Sequence, residues 1–587
     1  MKIISLEKAE KKQITKLSLN KTIWIVGCGI SIDQPTGLPN GADLTDYYLN
    51  ISLGKETSKR LKSIWKKFSE ELNNMVQMDF PLLRLEMIIG NVNKVEDELD
   101  NSRKTINGFE EFSKRESNKN HKALYEIARR GSLILTLNFD TGIESAGEIE
   151  KFALRNQYNY PAFINEEGVT VYHLHGVAVE NEQLEFSLGA SIENVKKGLD
   201  EYFKQKIVEM LDDNFNLVFV GYSMSDFFDI TPFLKCIQTK GEGKIIYFSH
   251  GKYPAQEICN KISDVLKNFK NKYIVYGETY EFLHSFCKEK CEGERIEDKK
   301  WNFCFEKIHN SWSESVSQSV RYRNIIRISN QTGIRIDLID PKWKNEIDTV
   351  LRELLDSDID RIFGTQTDLS KTVFSDIREI CNSMQYNGNG MLTELIVKID
   401  NSRKNIIAPS KVSNRYNAIT IIQYISMKTI NPQNYNSAIV YAMVRICKEN
   451  IVQWWNSEKQ EKDWFMLLEL HNALKKMLQM PYNEYMYISY YVSLLKVENL
   501  LLAILDPLKK NQENERMMME LTLEISNAEL ATYVLLNYCR KHLILYRRTG
   551  KIEYKQKSLD FLNKMNKLCG IIGLKEWNEA DVMKNIL

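Results

Sequence analysis

The sequence has no apolar run long enough to cross a membrane. Its most apolar stretch, residues 485–505, is broken by Lys496 and Glu498 and reads as a buried helix. It has no charge imbalance either, since 79 Lys and Arg stand against 78 Asp and Glu, a formal net charge of +1. That balance gives no electrostatic footprint for nucleic acid or for an anionic membrane, so neither is expected as a partner. Paired C-x-x-C knuckles are missing too. Ten cysteines are scattered from Cys28 to Cys569, and only Cys287, Cys291 and Cys304 lie close together. Scattered thiols in so long a chain point to reduced, mostly buried cysteines, and the trio lacks zinc spacing, so no metal is expected. The N-terminus alternates Lys and Glu between Leu6 and Lys16 without the apolar core of a signal peptide, which points to the cytoplasm.

What is present is a globular composition, 43% hydrophobic and 27% charged, over 587 residues, too long for one ordinary core. The first half alternates strands and helices. Residues 22–29 form an apolar strand that runs into a glycine turn, and further strands read at 132–137, 169–174, 216–220, 244–248 and 272–276. Helices read between them, including 191–212, 254–268 and 279–289, and the alternation predicts a mostly parallel, doubly wound α/β sheet over residues 1–290. A helical insertion at about 43–130 is expected to cap the sheet edge. Within it His121 opens a helix and reads as a surface or capping histidine.

Beyond residue 290 strand signals thin out and helical periodicity takes over. Asp340 reads as an N-cap with Pro341 at the first helical position. Helices follow at 368–385, 391–400, 416–427, 435–455, 461–479, 484–505, 511–525, 527–548 and 553–568. They form helix pairs of roughly repeat-like length, though with no fixed period or shared motif, so residues 291–587 are expected to be an all-α, helical-repeat-like domain. Arg321-Tyr322-Arg323 with Arg327 reads as a solvated face or an interdomain contact.

Chemistry-bearing residues gather where the strands end. Ile134-Leu135-Thr136-Leu137-Asn138-Phe139-Asp140 begins as a buried strand and finishes in an amide and a carboxylate. Open α/β sheets bind ligands at this carboxyl edge. Upstream, Gly27-Cys28-Gly29-Ile30-Ser31 offers bare backbone amides that a phosphate or ribose can approach, followed by Gly37-Leu38-Pro39. Downstream, Leu174-His175-Gly176 ends one strand and Gly221-Tyr222-Ser223 another, with Asp226 just beyond. Taken singly, each has a plain alternative. Asn138 and Asp140 are good turn formers, G-x-G is a tight turn, and His173 beside His175 is more readily structural than a metal ligand without a third donor.

Taken together, these five motifs resemble, in order and approximate spacing, the catalytic domain of the sirtuin (SIR2) family, over roughly residues 15–290. The resemblance implies a Rossmann-like domain that uses NAD as substrate. It makes Gly27, Gly29 and Ser31, with Gly37 and Pro39, the pyrophosphate and ribose loop. Asn138 and Asp140 would lie at the nicotinamide-side ribose, His175 would be the general base, and Gly221, Ser223 and Asp226 would take the adenosine side. Two departures bear on the subclass. The cysteine module expected after His-Gly is absent, and Asn40-Gly41 replaces the Phe-Arg of the deacylases. A zinc-less domain of this kind fused to a helical region is similar to bacterial antiphage-defence sirtuins. That similarity implies an NAD glycohydrolase, with water as the nucleophile and NAD depletion as the outcome. A protein deacylase or ADP-ribosyltransferase, and a non-catalytic NAD or ADP-ribose sensor, are the alternatives. The same similarity implies a homo-oligomer, and a separate activating partner such as a phage protein, an ATPase or a nucleotide-processing protein.

Overall fold

The computed structural model describes residues 1–76, 115–147, 170–175, 201–224, 230–287, 318–347, 437–457, 464–478, 485–508, 512–524 and 526–584, with a few isolated positions between. The chain divides into two compact units. One comprises Met1–Ile51 and Leu85–Val316, the other Ser52–Arg84 and Ser317–Leu587.

The first unit is built on a seven-stranded sheet of β1 (Lys2–Ser5), β2 (Thr22–Val26), β3 (Leu133–Thr136), β4 (Thr170–His173), β5 (Asn216–Val220), β6 (Ile245–His250) and β7 (Lys272–Gly277). Every pairing is parallel, in the order β1-β7-β6-β5-β2-β3-β4. The expected Rossmann-like α/β sheet is therefore present. Six of its strands were legible as apolar runs. The seventh, β1, has only four residues with Ile4 alone buried, and takes its strand form from pairing along the edge of β7.

Both faces of the sheet are covered, which is why β2 reads Thr-Ile-Trp-Ile-Val and is buried throughout instead of alternating. Ile23 and Ile25 enter one core with Leu133, Leu135, Phe219 and Ile245, and Trp24 and Val26 enter the other with Ile134, Val171, Val218 and Ile246. Helices α1 (Leu6–Lys11) and α2 (Gly41–Leu53) flank β2 in the chain. They are followed by α3 (Lys55–Val76), which belongs to the second unit, and then in the first unit by α4 (Lys119–Arg129) and, after β3, α5 (Gly142–Ser145). The rest of this unit adds α6 (Glu201–Asp212), α7 (Ile230–Cys236), α8 (Gln256–Val265) and α9 (Thr279–His284). Leu6, Ala9, Leu124, Ile127 and Phe282 bring α1, α4 and α9 to the Trp24 face, while Phe203, Ile207, Leu234 and Ile262 bring α6, α7 and α8 to the other.

The strand order places a topological switch at β2. The chain moves from β2 to β3 and β4 on one side, then crosses to β5, β6 and β7 on the other. The loops leaving β2, β3, β4 and β5 therefore open together at one carboxyl edge, the place where such sheets take ligands.

The second unit is helical. It contains α3, α10 (Gln318–Thr332), α11 (Ile336–Ile339), α12 (Lys342–Asn345), α13 (Ser437–Asn456), α14 (Trp464–Met477), α15 (Tyr485–Leu505), α16 (Gln512–Glu524), α17 (Ala528–Thr549), α18 (Ile552–Ile572) and α19 (Glu579–Lys584). The six helices expected from residue 435 onward are all present with ends shifted by a few residues, and those expected at 368–385, 391–400 and 416–427 lie outside the described residues. The Asp340 carboxylate accepts from the Lys342 amide at 3.1 Å, but Pro341 and not Asp340 stands at the N-cap, and the helix runs only over Lys342–Asn345 around the buried Trp343. Tyr322 and Arg323 are buried, so α10 does not present them as a solvated face. Among the described residues, no helix is long and apolar enough to cross a membrane.

Candidate functional site

The carboxyl edge of the sheet carries a closed polar network centred on Ser31. β3 ends at Thr136, whose hydroxyl accepts from the Asn138 amide at 3.1 Å and so turns the chain away from the sheet. This brings the Asn138 side chain to the loop after β2, where its Nδ2 donates to Ser31 Oγ at 3.1 Å. Ser31 Oγ in turn donates to Asp140 Oδ2 at 2.8 Å, and its remaining partner is His121 Nε2 at 3.0 Å. Asp140 Oδ1 accepts from the Gly142 amide at 3.0 Å and lies 3.5 Å from His121 Nε2. Ser31, His121, Asn138 and Asp140 are all buried.

The protons in this network can be assigned from its partners. The Asn118 amide donates to His121 Nδ1 at 3.2 Å, so Nδ1 is an acceptor and the ring carries its proton on Nε2. Burial holds the His121 pKa below its ordinary value, against the opposing pull of Asp140, Glu144 and Asp33, so the ring is neutral. Ser31 Oγ then accepts from His121 and Asn138 and gives its one proton to Asp140, which fills its bonding capacity. Asn138 is fixed with its NH₂ toward Ser31. Among the described residues its Oδ1 is left buried with no hydrogen-bond partner.

His121 both caps and positions. Asn118 accepts from the His121 and Asn120 amides and forms a capping box with the His121 ring at the start of α4. Asn118 Nδ2 reaches across to the carbonyls of Ile30 and Asp33, tying that helix end to the loop after β2. The capping role was legible in the sequence. The burial was not, because the residues that enclose His121 are Ser31, Thr36 and Gly142, all distant in sequence or across a turn.

A second buried pair supports the turn from the other side. His173, the last residue of β4, lies with Nδ1 3.0 Å from the Asn138 carbonyl and Nε2 2.5 Å from Glu144 Oε1 on α5. Burial disfavours the charged ring, but Glu144, the Asn138 carbonyl and Asp140 outweigh it and raise the pKa. Glu144 is the member of this group that sequence patterns did not single out, since a Glu in a short helix carries no signal of its own.

His175 follows two residues later. The strand has ended at His173, so His175 is carried in the turn, half-buried, with its ring centroid 6.3 Å from that of Phe139. Phe139 lies between Asn138 and Asp140, and the His175 ring is thereby drawn to this same turn.

The glycine loop is used differently from what its pattern suggested. The amides of Gly27 and Gly29 donate to Val220 O at 3.0 Å and Gly221 O at 2.9 Å, and those of Ile30 and Ser31 bond within the loop. These amides are engaged, not bare. The glycines are required because a Cβ on Gly27 would meet Gly221 O at 2.5 Å, and one on Gly29 would meet Gly221 Cα at 2.8 Å. Gly221 itself has φ +63, a left-handed turn that lets β5 fold back against this loop. Leu38 donates to the Ser31 carbonyl at 2.9 Å, which brings Gly37, at φ +57, and buried Pro39 beside Ser31. Ser223 is exposed after β5, and Asp226 lies outside the described residues.

Gly27, Gly29, Ser31, Gly37, Pro39, Asn138, Asp140, His175, Gly221 and Ser223 thus all lie on loops leaving adjacent strands. Direct hydrogen bonds join Ser31, Asn138 and Asp140, and backbone contacts join Gly27 and Gly29 to Gly221. Among the described residues, no group of three His, Cys, Asp or Glu is placed to hold a metal; of the trio Cys287, Cys291 and Cys304, only Cys287 is described.

No curated protein matches the chain. Residues 132–273, from the start of β3 into β7, match the family model described as a SIR2-like domain. The match omits β2 and its loop, which the fold places between β3 and β5. Over these residues the chain is similar to SIR2-like domains, a likeness that suggests NAD-related activity.

Proposed function

We propose that this site hydrolyses NAD at the nicotinamide–ribose bond, releasing nicotinamide and ADP-ribose, and that the protein is an NAD glycohydrolase effector of antiphage defence. The observation that supports this reading best is Asn138 Oδ1, a buried acceptor without a partner among the described residues, locked in orientation by Ser31, His121 and Asp140. Such an acceptor can take a hydrogen bond from a water or a ribose hydroxyl. His175, half-buried on the neighbouring turn, is the base. Water oxygen bonds to the ribose carbon as the carbon–nitrogen bond breaks, nicotinamide leaves with the electron pair, and the water proton passes to His175. Hydrolysis is favoured over acyl-lysine chemistry by Asn40-Gly41 in place of Phe-Arg and by the absence of the paired-cysteine module.

The test is nicotinamide release from NAD by the purified full chain, beside His175→Ala and Asn138→Ala. Loss of turnover is expected in both, by about 10²-fold or more for the base, with soluble protein and melting behaviour retained for His175→Ala. Turnover unchanged in His175→Ala sinks the assignment. Nicotinamide release only with an acylated acceptor supports a deacylase instead, and NAD binding without turnover supports a sensor.

A further inference from the structure

NAD cleavage at Asn138 and His175 leaves one buried titratable pair unused. His173 and Glu144 are both buried, and their contacts lead to the backbone of Asn138. Sheet register sets His173, the last residue of β4, beside Thr136, the last of β3. The Leu174 amide donates to the Thr136 carbonyl at 2.8 Å, and the Thr136 hydroxyl accepts from the Asn138 amide at 3.1 Å. His173 Nδ1 meets the other end of that residue, 3.0 Å from Asn138 O. Asn138 is thus held at its amide by Thr136, at its carbonyl by His173 and at its side chain by Ser31. Of these three supports only His173 can change its charge near neutral pH.

The partners fix where the protons lie. A backbone carbonyl only accepts, so Nδ1 carries a proton and donates it to Asn138 O. Nε2 lies 2.5 Å from Glu144 Oε1, a separation that requires a proton between them. The pair therefore holds one proton more than a neutral ring beside a carboxylate. Without it the Nε2 lone pair faces a carboxylate oxygen directly. The ring must then swing away from Glu144 or move its remaining proton to Nε2, and either change breaks the bond to Asn138 O. Burial disfavours the charged ring, but Glu144 on α5, the Asn138 carbonyl and Asp140 on the turn after β3 together raise its pKa. From α4, which packs against β4, His121 is neutral and adds no opposing charge.

We propose that His173 and Glu144 are a positioning pair for Asn138, and that the proton they share keeps the Asn138 turn in its working orientation. The role rests on the NAD reading of the site and adds a second pH limit to it. His175 accepts a proton only when its ring is free to take one, so it limits the rate at acid pH. The pair fails in the opposite direction. Its proton is retained above 6.5, the ordinary histidine value, and is lost as pH rises through the raised folded-state value, so the pair limits the rate at alkaline pH.

The experiment is the pH profile of nicotinamide release by the full chain, with calorimetric NAD affinity and melting temperature measured at each pH. Wild type is expected to rise to a plateau and fall again on the alkaline side while still folded. Glu144→Gln is the decisive variant, because its NH₂ can donate to a bare Nε2 while Nδ1 still donates to Asn138 O. Normalised to its own maximum, its profile should lose the alkaline fall. His173→Gln reaches Glu144 but has no second donor for the Asn138 carbonyl. Its rate should lie about tenfold or more below the wild-type plateau, the loss of one charge-assisted contact, and stay flat into alkaline pH. His173→Asn, whose amide nitrogen takes the place of Nδ1, should recover part of that loss. A purely structural pair would lower rate and melting together and leave the alkaline fall in place. If wild type binds NAD without cleaving it, the affinity takes the place of the rate in the same comparison. NAD cleavage without an alkaline fall, or a fall unmoved in Glu144→Gln, overturns the positioning role and leaves the His175 chemistry standing. Neither release nor binding of NAD by wild type at any pH sinks the NAD reading, and the positioning role with it.

Discussion

At the residue scale, Ser31 is the hub of the sheet-edge site. One hydroxyl satisfies the Asn138 amide, the His121 Nε2 proton and an Asp140 oxygen, so Ser31→Ala leaves all three buried and short of a partner. Each such group costs about 1–3 kcal/mol. The expected result is a clear fall in melting temperature together with loss of nicotinamide release, because Asn138 is then free to rotate. Gly142→Ala attacks the same hub from behind. A Cβ there would meet the His121 ring at 2.6 Å, and the ring is fully buried. Retention of full activity in both variants would show that the network does not orient Asn138. The two histidines respond to pH in opposite senses. The His173 pKa is raised by folding, so its stabilisation is present in full below the ordinary value of 6.5 and is lost as pH rises through the folded-state value. The melting margin of wild type over His173→Gln should therefore narrow as pH rises above 6.5. His121 is lowered, so its folded site gains protons less readily than the unfolded chain and its margin over His121→Gln should widen as pH rises through 6.5. A margin for His173 that grows with pH would show that Glu144 does not hold it charged.

At the element scale, the decisive contact joins the turn after β2 to the turn after β5. Gly27, Gly29 and Gly221 approach one another so closely that backbone meets backbone. Gly221→Ala adds roughly 1–2 kcal/mol for a left-handed non-glycine residue and also drives a Cβ to 2.8 Å from Gly27 O and Ile30 N. Backbone cannot step aside as a flexible side chain can, so the variant is expected to melt several degrees lower and to displace Ser31 with the loop. Wild-type melting and activity in Gly221→Ala would remove this contact from the account. Much of this was legible in sequence, since buried strands covered on both faces write themselves as unbroken apolar runs such as Thr22–Val26 and Asn216–Val220. The helices from α13 to α18 were legible for a related reason, their long periodic patterns. β1 was not, because four edge residues take their form from β7. The glycine loop was recognised for a different reason from its structural use: the sequence suggested an open phosphate cradle, whereas its amides bond to β5 and the turn beyond it. The His121 and Glu144 contacts were hidden because they depend on which loops meet, which no local pattern records.

At the scale of the whole molecule, a catalyst that consumes NAD must be restrained until needed, and we propose assembly through the helical unit as the restraint. The charge balance favours that arrangement. With a formal net charge of +1 and a pI near 7.5, copies of this chain carry almost no net repulsion at neutral pH, so short-range contacts decide whether they associate. Association controlled in this way responds to concentration, and so does any activity tied to it. Nicotinamide release per chain should fall with protein concentration as the mass measured by light scattering rises. Moving the pH about two units above the pI adds net negative charge and should shift both curves to higher concentration together. A rate per chain that stays flat while the mass changes would separate assembly from catalysis. It would leave NAD cleavage at Asn138 and His175 standing and place the restraint inside the single chain.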